Sequence, residues 1–220
     1  MHCGVHCALS RSSVLSAAAV MSTRMILLMS RPLTQRAYLH KGTKITMPTL
    51  SYRHAALNDV ALIVSLVNTA YRGETSKMGW TTEAYILGGQ RTDAEEIKRL
   101  IEAENSLILL CLKDGVTIGT AHLKKVDEGA YLGMFTIKPS LQGRGIGKEF
   151  LSAAEKTALE TWRMNKITMS VITLRHELIA YYERRGYRRT GMFGAFPGDP
   201  RFGIPKVADL QFEYLEKMLA

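Results

Sequence analysis

Apolar and polar positions along residues 50–220 follow two periods, one typical of strands and one typical of helices. Alternation or short apolar runs predict six to seven strands, over residues 50–54, 106–113, 116–126, 131–137 and 166–173, from residue 188 onward, and over 210–218. Apolar residues at helical spacing predict four helices, over residues 60–71, 93–105, 145–162 and 175–185. We therefore predict an α/β (α+β) fold with a central sheet flanked by about four helices.

The turns between strands indicate the strand directions. Short turns join the strands between residues 106 and 137, which predicts an antiparallel meander. The strands at 131–137 and 166–173 are separated by a long helix, so this pair is expected to be parallel. The sheet is therefore predicted to be mixed and mostly antiparallel.

A tight glycine loop separates the strand at 131–137 from the helix that follows it. The start of this helix is left bare by three glycines, Gly143, Gly145 and Gly147. Helix N-termini carry unpaired N–H groups and a partial positive charge, and Arg144 and Lys148 add basic side chains. The loop therefore predicts a site for a phosphate or a pyrophosphate.

Two common nucleotide motifs do not fit this loop. A P-loop needs Ser or Thr after Gly-Lys, but Glu149 follows here. A dinucleotide fingerprint needs its third glycine one residue later than Gly147. The pattern that fits is Gln/Arg-x-x-Gly-x-Gly/Ala, filled by Gln142, Gly145 and Gly147. With its preceding strand and following helix, this stretch resembles the acyl-CoA-binding motif of the GNAT family of N-acyltransferases, and the resemblance covers about residues 50–190.

The resemblance implies a cofactor and a way to hold it. GNAT-like sheets splay between the fourth and fifth strands, and the acyl arm of acetyl-CoA enters the gap. The loop amides would hold the CoA pyrophosphate, and the strand before the loop would lend backbone groups to the pantetheine arm. The cofactor-binding residues implied are Phe135, Thr136, Ile137, Gln142, Gly143, Arg144, Gly145, Ile146, Gly147 and Lys148.

A second family signature falls on the helix at 175–185. Tyr182 and the pair Gly186-Tyr187 match a tyrosine placed four residues before a Gly-aromatic pair. By this match Tyr182 is the expected catalytic general acid toward the leaving thiolate, because a phenol is protonated at neutral pH. Packing beside Tyr181 is the alternative interpretation. Arg175 stands where the family often has asparagine, so no CoA contact is predicted there.

The resemblance implies transfer of an acetyl group from acetyl-CoA to a primary amine by direct attack, helped mainly by proximity. Residues 72–92 and 194–206 are irregular and are expected to cover the acceptor site together, which favours a small-molecule amine. The alternatives for function are a protein or peptide acceptor and a catalytically silent CoA-binding or partner-binding module. A homodimer is the alternative to a monomer. Another interpretation of residues 72–92 is a surface loop with Trp80 packed into the core.

The general base is not assigned by the sequence. The candidates are Glu74, Glu83, Glu128 and His122, of which His122 lies in a strand and is more typical of a structural histidine. Cys111 lies in an apolar run and is expected in the core. No metal site is expected, because the His and Cys residues at positions 2–7 have no second half that would complete four ligands.

The net charge of +9 is concentrated near the N-terminus. Residues 1–46 contain six Lys or Arg and no acid, whereas residues 47–220 contain 23 basic and 20 acidic residues, a net of +3. We therefore expect no nucleic-acid partner, and no membrane partner since no run of about 18 apolar residues occurs. The composition of 1–46 predicts a disordered mitochondrial transit peptide ahead of a domain at 47–220. Met47 is the alternative start of a cytoplasmic protein.

Overall fold

The computed structural model describes residues 49–220. The predicted leader, residues 1–46, and the alternative start at Met47 lie outside the described residues, so targeting stays a prediction. The described residues form four α-helices: α1 Val60–Tyr71, α2 Ala94–Glu102, α3 Ile146–Trp162 and α4 His176–Glu183. Their strands are β1 Leu50–His54, β2 Leu87–Gly88, β3 Ser106–Lys113, β4 Val116–Val126, β5 Gly129–Ile137, β6 Lys166–Ile172, β7 Arg188–Ala195, β8 Ile204–Pro205 and β9 Gln211–Met218.

Seven strands form the central sheet, in the order β1-β3-β4-β5-β6-β9-β7, and β2 pairs separately with β8. The predicted mixed sheet and the four helices are confirmed. Two differences are local: α2 stops at Glu102 rather than near 105, where Asn105 adopts a positive φ of 56° before β3 begins. The sequence did not predict β2 and β8, because two residues are too few to show a period.

The parallel pair β5–β6 opens shortly after it begins. Ala130 pairs with Ile167 and Tyr131 pairs with Thr168, and no further pair joins the two strands. β5 continues to Ile137 and β6 to Ile172, so their remaining lengths diverge and leave a gap in the sheet. The splay expected between the fourth and fifth predicted strands is confirmed. It exposes the edge of β5 that faces β6.

The helices cover the two faces of the sheet. Strand β3 shows the division, because successive side chains point to opposite faces. Leu109 and Cys111 pack in the cluster that contains α3 and α4, whereas Ile108 and Leu110 pack against α1 and α2. Cys111 is fully buried, as expected for a core residue. The sheet is therefore covered by helices on both of its faces.

Candidate active site

The glycine loop forms the start of α3 and has the backbone geometry that glycine permits. Gly143 and Gly145 have φ values of +74° and +83°, which side chains rarely adopt, and a Cβ on either would meet open space. Ile146 and Gly147 are the first two helical residues, so their N–H groups have no intrahelical acceptor. The loop therefore presents bare backbone donors at a helix N-terminus, as predicted.

Most of the predicted cofactor-binding residues border one cavity of about 530 Å³. They are Phe135, Thr136, Ile137, Gln142, Gly143, Gly145, Gly147 and Lys148. Two of the predicted residues do not line it: Arg144 is exposed, and Ile146 packs against the main core. For Arg144 and Ile146, contact with a ligand through the backbone N–H groups stays a prediction.

The side chain of Gln142 connects the loop to two other segments. Its Nε2 donates to the carbonyl of Ile137 at 2.9 Å, and its Oε1 accepts from the backbone N–H of Trp80 at 2.8 Å. Gly79 is held so close that a Cβ there would lie 2.7 Å from Oε1. The sequence motif gave no sign of this bridge, because Trp80 lies 62 residues away.

Strand β5 contains a bulge at the gap. Thr136 pairs with Thr120 and Gly133 with His122, so Met134 and Phe135 together face the single residue between them on β4. Met134 accordingly has a positive φ of 45°. Bulges bend a strand and redirect its backbone groups, and this one lies beside the open edge of β5. The hydroxyl of Tyr71 donates to the carbonyl of Phe135 at 3.4 Å.

Tyr182 lies on α4, is only 4% exposed, and borders the cavity. Its ring makes edge contacts with Tyr181 and Tyr187. Burial, reinforced by the neighbouring hydroxyls of Tyr71 and Tyr181, raises the pKa of Tyr182 above its ordinary value. The phenol therefore stays protonated at neutral and alkaline pH and can donate a proton.

A buried group of three charged side chains, Arg72, Glu83 and Arg175, also borders the cavity. Glu83 Oε2 accepts from Arg72 Nε at 3.1 Å, and Glu83 Oε1 accepts from Arg175 Nη1 at 3.0 Å. The three side chains are between 4% and 9% exposed. Burial lowers the pKa of Arg72, and the charge of Glu83 opposes that shift. Arg175, the departure from the family pattern, thus has a partner in the segment at 72–92.

The two irregular segments contact each other, as expected. Arg72 Nη2 donates to the carbonyl of Phe202 at 2.8 Å, and Lys206 Nζ donates to that of Ala84 at 2.6 Å. The pairing of β2 with β8 adds backbone contacts between the same segments. The interpretation that packs Trp80 in the core is wrong: Trp80 is 45% exposed and lies against Tyr181, at 5.5 Å between ring centroids.

The four candidate bases lie in different surroundings. Glu74 and Glu128 are exposed and pair with lysines, whereas Glu83 alone of the four borders the cavity, with both oxygens engaged by guanidinium groups. His122 is buried; Ser106 Oγ donates to a carbonyl, so it accepts from His122 Nε2 at 2.9 Å. Burial, with nearby cations, lowers the pKa of His122 to about 4. His122 is therefore a neutral structural residue.

Tyr71 and Arg91 border the cavity and are not among the predicted site residues. Tyr71 is the last residue of α1, and Arg91 lies three residues before α2. The signal available in the sequence is therefore a tyrosine and an arginine at the two ends of the irregular segment.

Among residues 49–220 no cluster of three His, Cys, Asp or Glu side chains could hold a metal ion. No helix in that range is long and apolar enough to cross a membrane.

Comparison with known proteins defines the class. A family model described as "Acetyltransferase (GNAT) family" matches residues 66–187, more than half of the chain. The chain belongs to the GNAT acetyltransferase family. No curated protein sequence matches the chain.

Solved structures share the fold at low sequence identity. The ribosomal-protein-alanine N-acetyltransferase of Brucella melitensis is 18% identical, with a TM-score of 0.57 over 77% of this chain and 99% of that one. The acetyltransferase yncA of Salmonella typhimurium, solved with its cofactor acetyl-CoA, is 19% identical, with a TM-score of 0.55 over 78% and 94%. A spermidine N-acetyltransferase chimera of Vibrio cholerae SpeG and hSSAT is 16% identical, with a TM-score of 0.56 over 77% and 95%.

Proposed function

We propose that this protein transfers the acetyl group of acetyl-CoA to the primary amine of a small molecule by direct attack. One observation carries the proposal: a single cavity joins the glycine loop, the open edge of β5, Tyr182 and the two irregular segments. The family uses acetyl-CoA, and the glycine loop offers the donors that a pyrophosphate needs.

In this proposal the protein positions both substrates and stabilises developing charge. Backbone amides of residues 143–148 hold the pyrophosphate, and the free edge of β5 at Phe135, Thr136 and Ile137 receives the pantetheine arm. A backbone N–H beside the bulge stabilises the oxyanion that forms when the amine attacks the thioester carbonyl. Tyr182 then gives its proton to the departing thiolate and is reprotonated by the proton that the attacking nitrogen loses as the amide forms. Proximity of this kind lowers a barrier by about 7–11 kcal/mol.

The charges of the cavity also help to prepare the amine. Arg72 and Arg175 border its acceptor side, and among residues 49–220 Glu83 is the one acid that borders it. The positive charge of the arginines exceeds the negative charge of Glu83, so the cavity disfavours a further cation. The pKa of an incoming ammonium group therefore falls, and a larger fraction of the substrate is the reactive neutral amine. A dedicated general base is then not required.

The covering segments support a small acceptor rather than a protein. The β2–β8 pairing and the bond from Arg72 to Phe202 join residues 72–92 to the tail over the cavity. The solved neighbours include named acetyltransferases of a ribosomal-protein alanine and of spermidine, so both acceptor classes occur on this fold. A peptide acceptor is the alternative, and it would need these segments to separate.

Calorimetric titration of the full chain with acetyl-CoA, followed by a thiol-release assay over a panel of amines, tests the proposal. We expect saturable binding and acetylation of at least one small amine. Binding with no turnover on amines or peptides would identify a silent CoA-binding module. Turnover on peptides alone would replace the small-molecule acceptor, and no binding by the folded protein would overturn the proposal.

A further inference from the structure

Arg91 is a cation of the cavity that forms no ion pair with an acid of residues 49–220. Its guanidinium lies over the ring of Tyr71, 5.5 Å from the centroid, and it borders the cavity. Within residues 49–220 its side chain makes no hydrogen bond or ion pair, whereas Arg72 and Arg175 both bond to Glu83. The guanidinium of Arg91 therefore keeps its donors for a ligand.

The backbone that carries Arg91 is fixed to α1 by one side chain. Asn68 Oδ1 accepts from the N–H of Arg91 at 2.6 Å and from that of Thr92 at 3.1 Å, and Asn68 Nδ2 donates to the carbonyl of Thr92 at 2.9 Å. Stacking on Tyr71 orients the guanidinium itself. Arg91 is thus presented from an anchored position, which reduces the conformational entropy that a ligand contact costs.

The charge balance shows which ligand chemistry fits. Three arginines face one glutamate on the acceptor side, and both oxygens of Glu83 are already engaged. A polyamine would add positive charge to this excess, whereas a carboxylate would accept paired hydrogen bonds from the free guanidinium. Phe196, Phe202 and Phe212 also border the cavity and supply apolar surface near these charges.

We propose that the acetyl acceptor is an amino acid-like molecule: a primary amine that also carries a carboxylate, held by Arg91, and an apolar side chain. This inference rests on the proposed acetyltransferase activity and names its substrate class. Arg91 is then a specificity-determining residue, because it selects the acid over the corresponding neutral amine without touching the reacting atoms.

Matched acceptors test the inference in one protein. L-phenylalanine, L-methionine and L-leucine are compared with their amides by kcat/KM in the thiol-release assay. A charge-assisted hydrogen bond is typically worth a tenfold to hundredfold change in affinity, so we expect the acids to exceed the amides by about 10- to 100-fold. Equal or better turnover of the amides would overturn the inference and leave the acetyltransferase function standing.

The variant Arg91→Met separates recognition from stability. It should lower kcat/KM for the acids about 10- to 100-fold and change that for the amides less than about threefold, since only the acids use the guanidinium. Arg91→Lys should recover part of the loss because the charge remains. The matched control is Arg99→Met, an exposed arginine of α2 that does not border the cavity, which should change neither series.

A binding measurement covers the case in which none of these acids is turned over. With CoA present, N-acetyl-L-phenylalanine should bind the unchanged protein at least about tenfold more tightly than its amide, and Arg91→Met should remove the difference. No preference for the acid would overturn the inference. Failure of acetyl-CoA itself to bind would instead overturn the proposed function.

Discussion

The two sides of the cavity are built in different ways. The half that we propose holds the cofactor, residues 133–148 (the cofactor half), is one stretch of chain in which a strand, a loop and a helix start offer mostly backbone groups. The half that we propose receives the acceptor, residues 71–92 and 196–206 (the acceptor half), offers side chains from segments that meet only in the folded protein. Arg72 bonds to Phe202, 130 residues away, and Glu83 bonds to Arg175, 92 residues away.

Because of this difference, substitutions should have different effects in the two halves. Backbone amides and glycine geometry bind a phosphate whatever the neighbouring side chains are, so the cofactor half depends on a few glycines. The acceptor half depends on the identity of its charged and aromatic side chains. Substitutions in the acceptor half should therefore alter stability or specificity, whereas substitutions of the loop glycines should alter cofactor affinity.

The largest expected effect is on the acceptor half. Glu83→Gln leaves two buried guanidinium groups without their shared carboxylate, and breaking a buried ion pair typically costs about 3–5 kcal/mol. Urea unfolding measures this loss. The control, Glu74→Gln, removes an exposed pair with Lys77 and should leave the midpoint unchanged. Equal midpoints for both variants would mean that the buried group does not stabilise the acceptor half.

In the cofactor half, substitution of a single glycine should be enough to weaken acetyl-CoA binding. Gly145→Glu places a carboxylate at the pyrophosphate position and should weaken acetyl-CoA binding by about 100-fold, or roughly 3 kcal/mol. Gly115→Glu is the matched control, because Gly115 also has a positive φ of 80° and open space but lies in the β3–β4 turn. Calorimetric titration compares the two. Similar losses in both would trace the effect to backbone strain rather than to the loop.

The variant Tyr182→Phe separates an effect on turnover from an effect on cofactor binding. Without the phenolic proton, kcat should fall about 100-fold, while acetyl-CoA affinity stays within about threefold. Since the pKa of Tyr182 is raised, turnover of the unchanged protein should show no alkaline decline caused by this group. Tyr187→Phe, a buried neighbour that does not border the cavity, serves as the control. Full turnover in Tyr182→Phe would exclude the general-acid role.

The smallest effect concerns His122, which lies on β4 outside both halves. Its pKa is lowered to about 4 in the folded protein and is about 6.5 when unfolded, so between these values the unfolded chain binds more protons. Its contribution to stability is therefore complete above pH 6.5 and is lost as the pH falls toward 4, by about 2 kcal/mol at pH 5.

Unfolding curves of His122→Gln test this assignment. The variant keeps a donor for Ser106 but cannot titrate, so its stability should decline less between pH 7 and pH 5 than that of the unchanged protein. Identical slopes would show that His122 does not carry the acid sensitivity.

The sequence predicted the cofactor half because its evidence is local. The evidence lies within one strand–loop–helix unit: an apolar strand, Gln142 and three glycines at a helix start. Each of these features indicates the same phosphate-binding motif. The same locality predicted the helices and the meander. The splay at Tyr131 and Thr168 followed from the resemblance, since no period in either strand marks where pairing ends.

The sequence identified the segments of the acceptor half but did not predict the contacts between them. Residues 72–92 are irregular enough to indicate function, yet no pattern in the sequence shows that Glu83 bonds to Arg175 or that Arg91 forms no ion pair within residues 49–220. Two-residue strands give no period, and a bulge such as that at Met134 depends on the register between strands. These features arise from tertiary contacts between distant segments.

The long sequence separations around Glu83 also bear on how the molecule folds. The β3–β4 and β4–β5 hairpins close over short turns, whereas the contacts of Arg72 and Arg175 require much larger loops to close first. We expect the meander to belong to the folding nucleus and the acceptor half to form after the transition state. Glu83→Gln should then accelerate unfolding and leave the refolding rate nearly unchanged in stopped-flow measurements. The specificity of the enzyme would thus be the last part of the fold to form and the first to be lost.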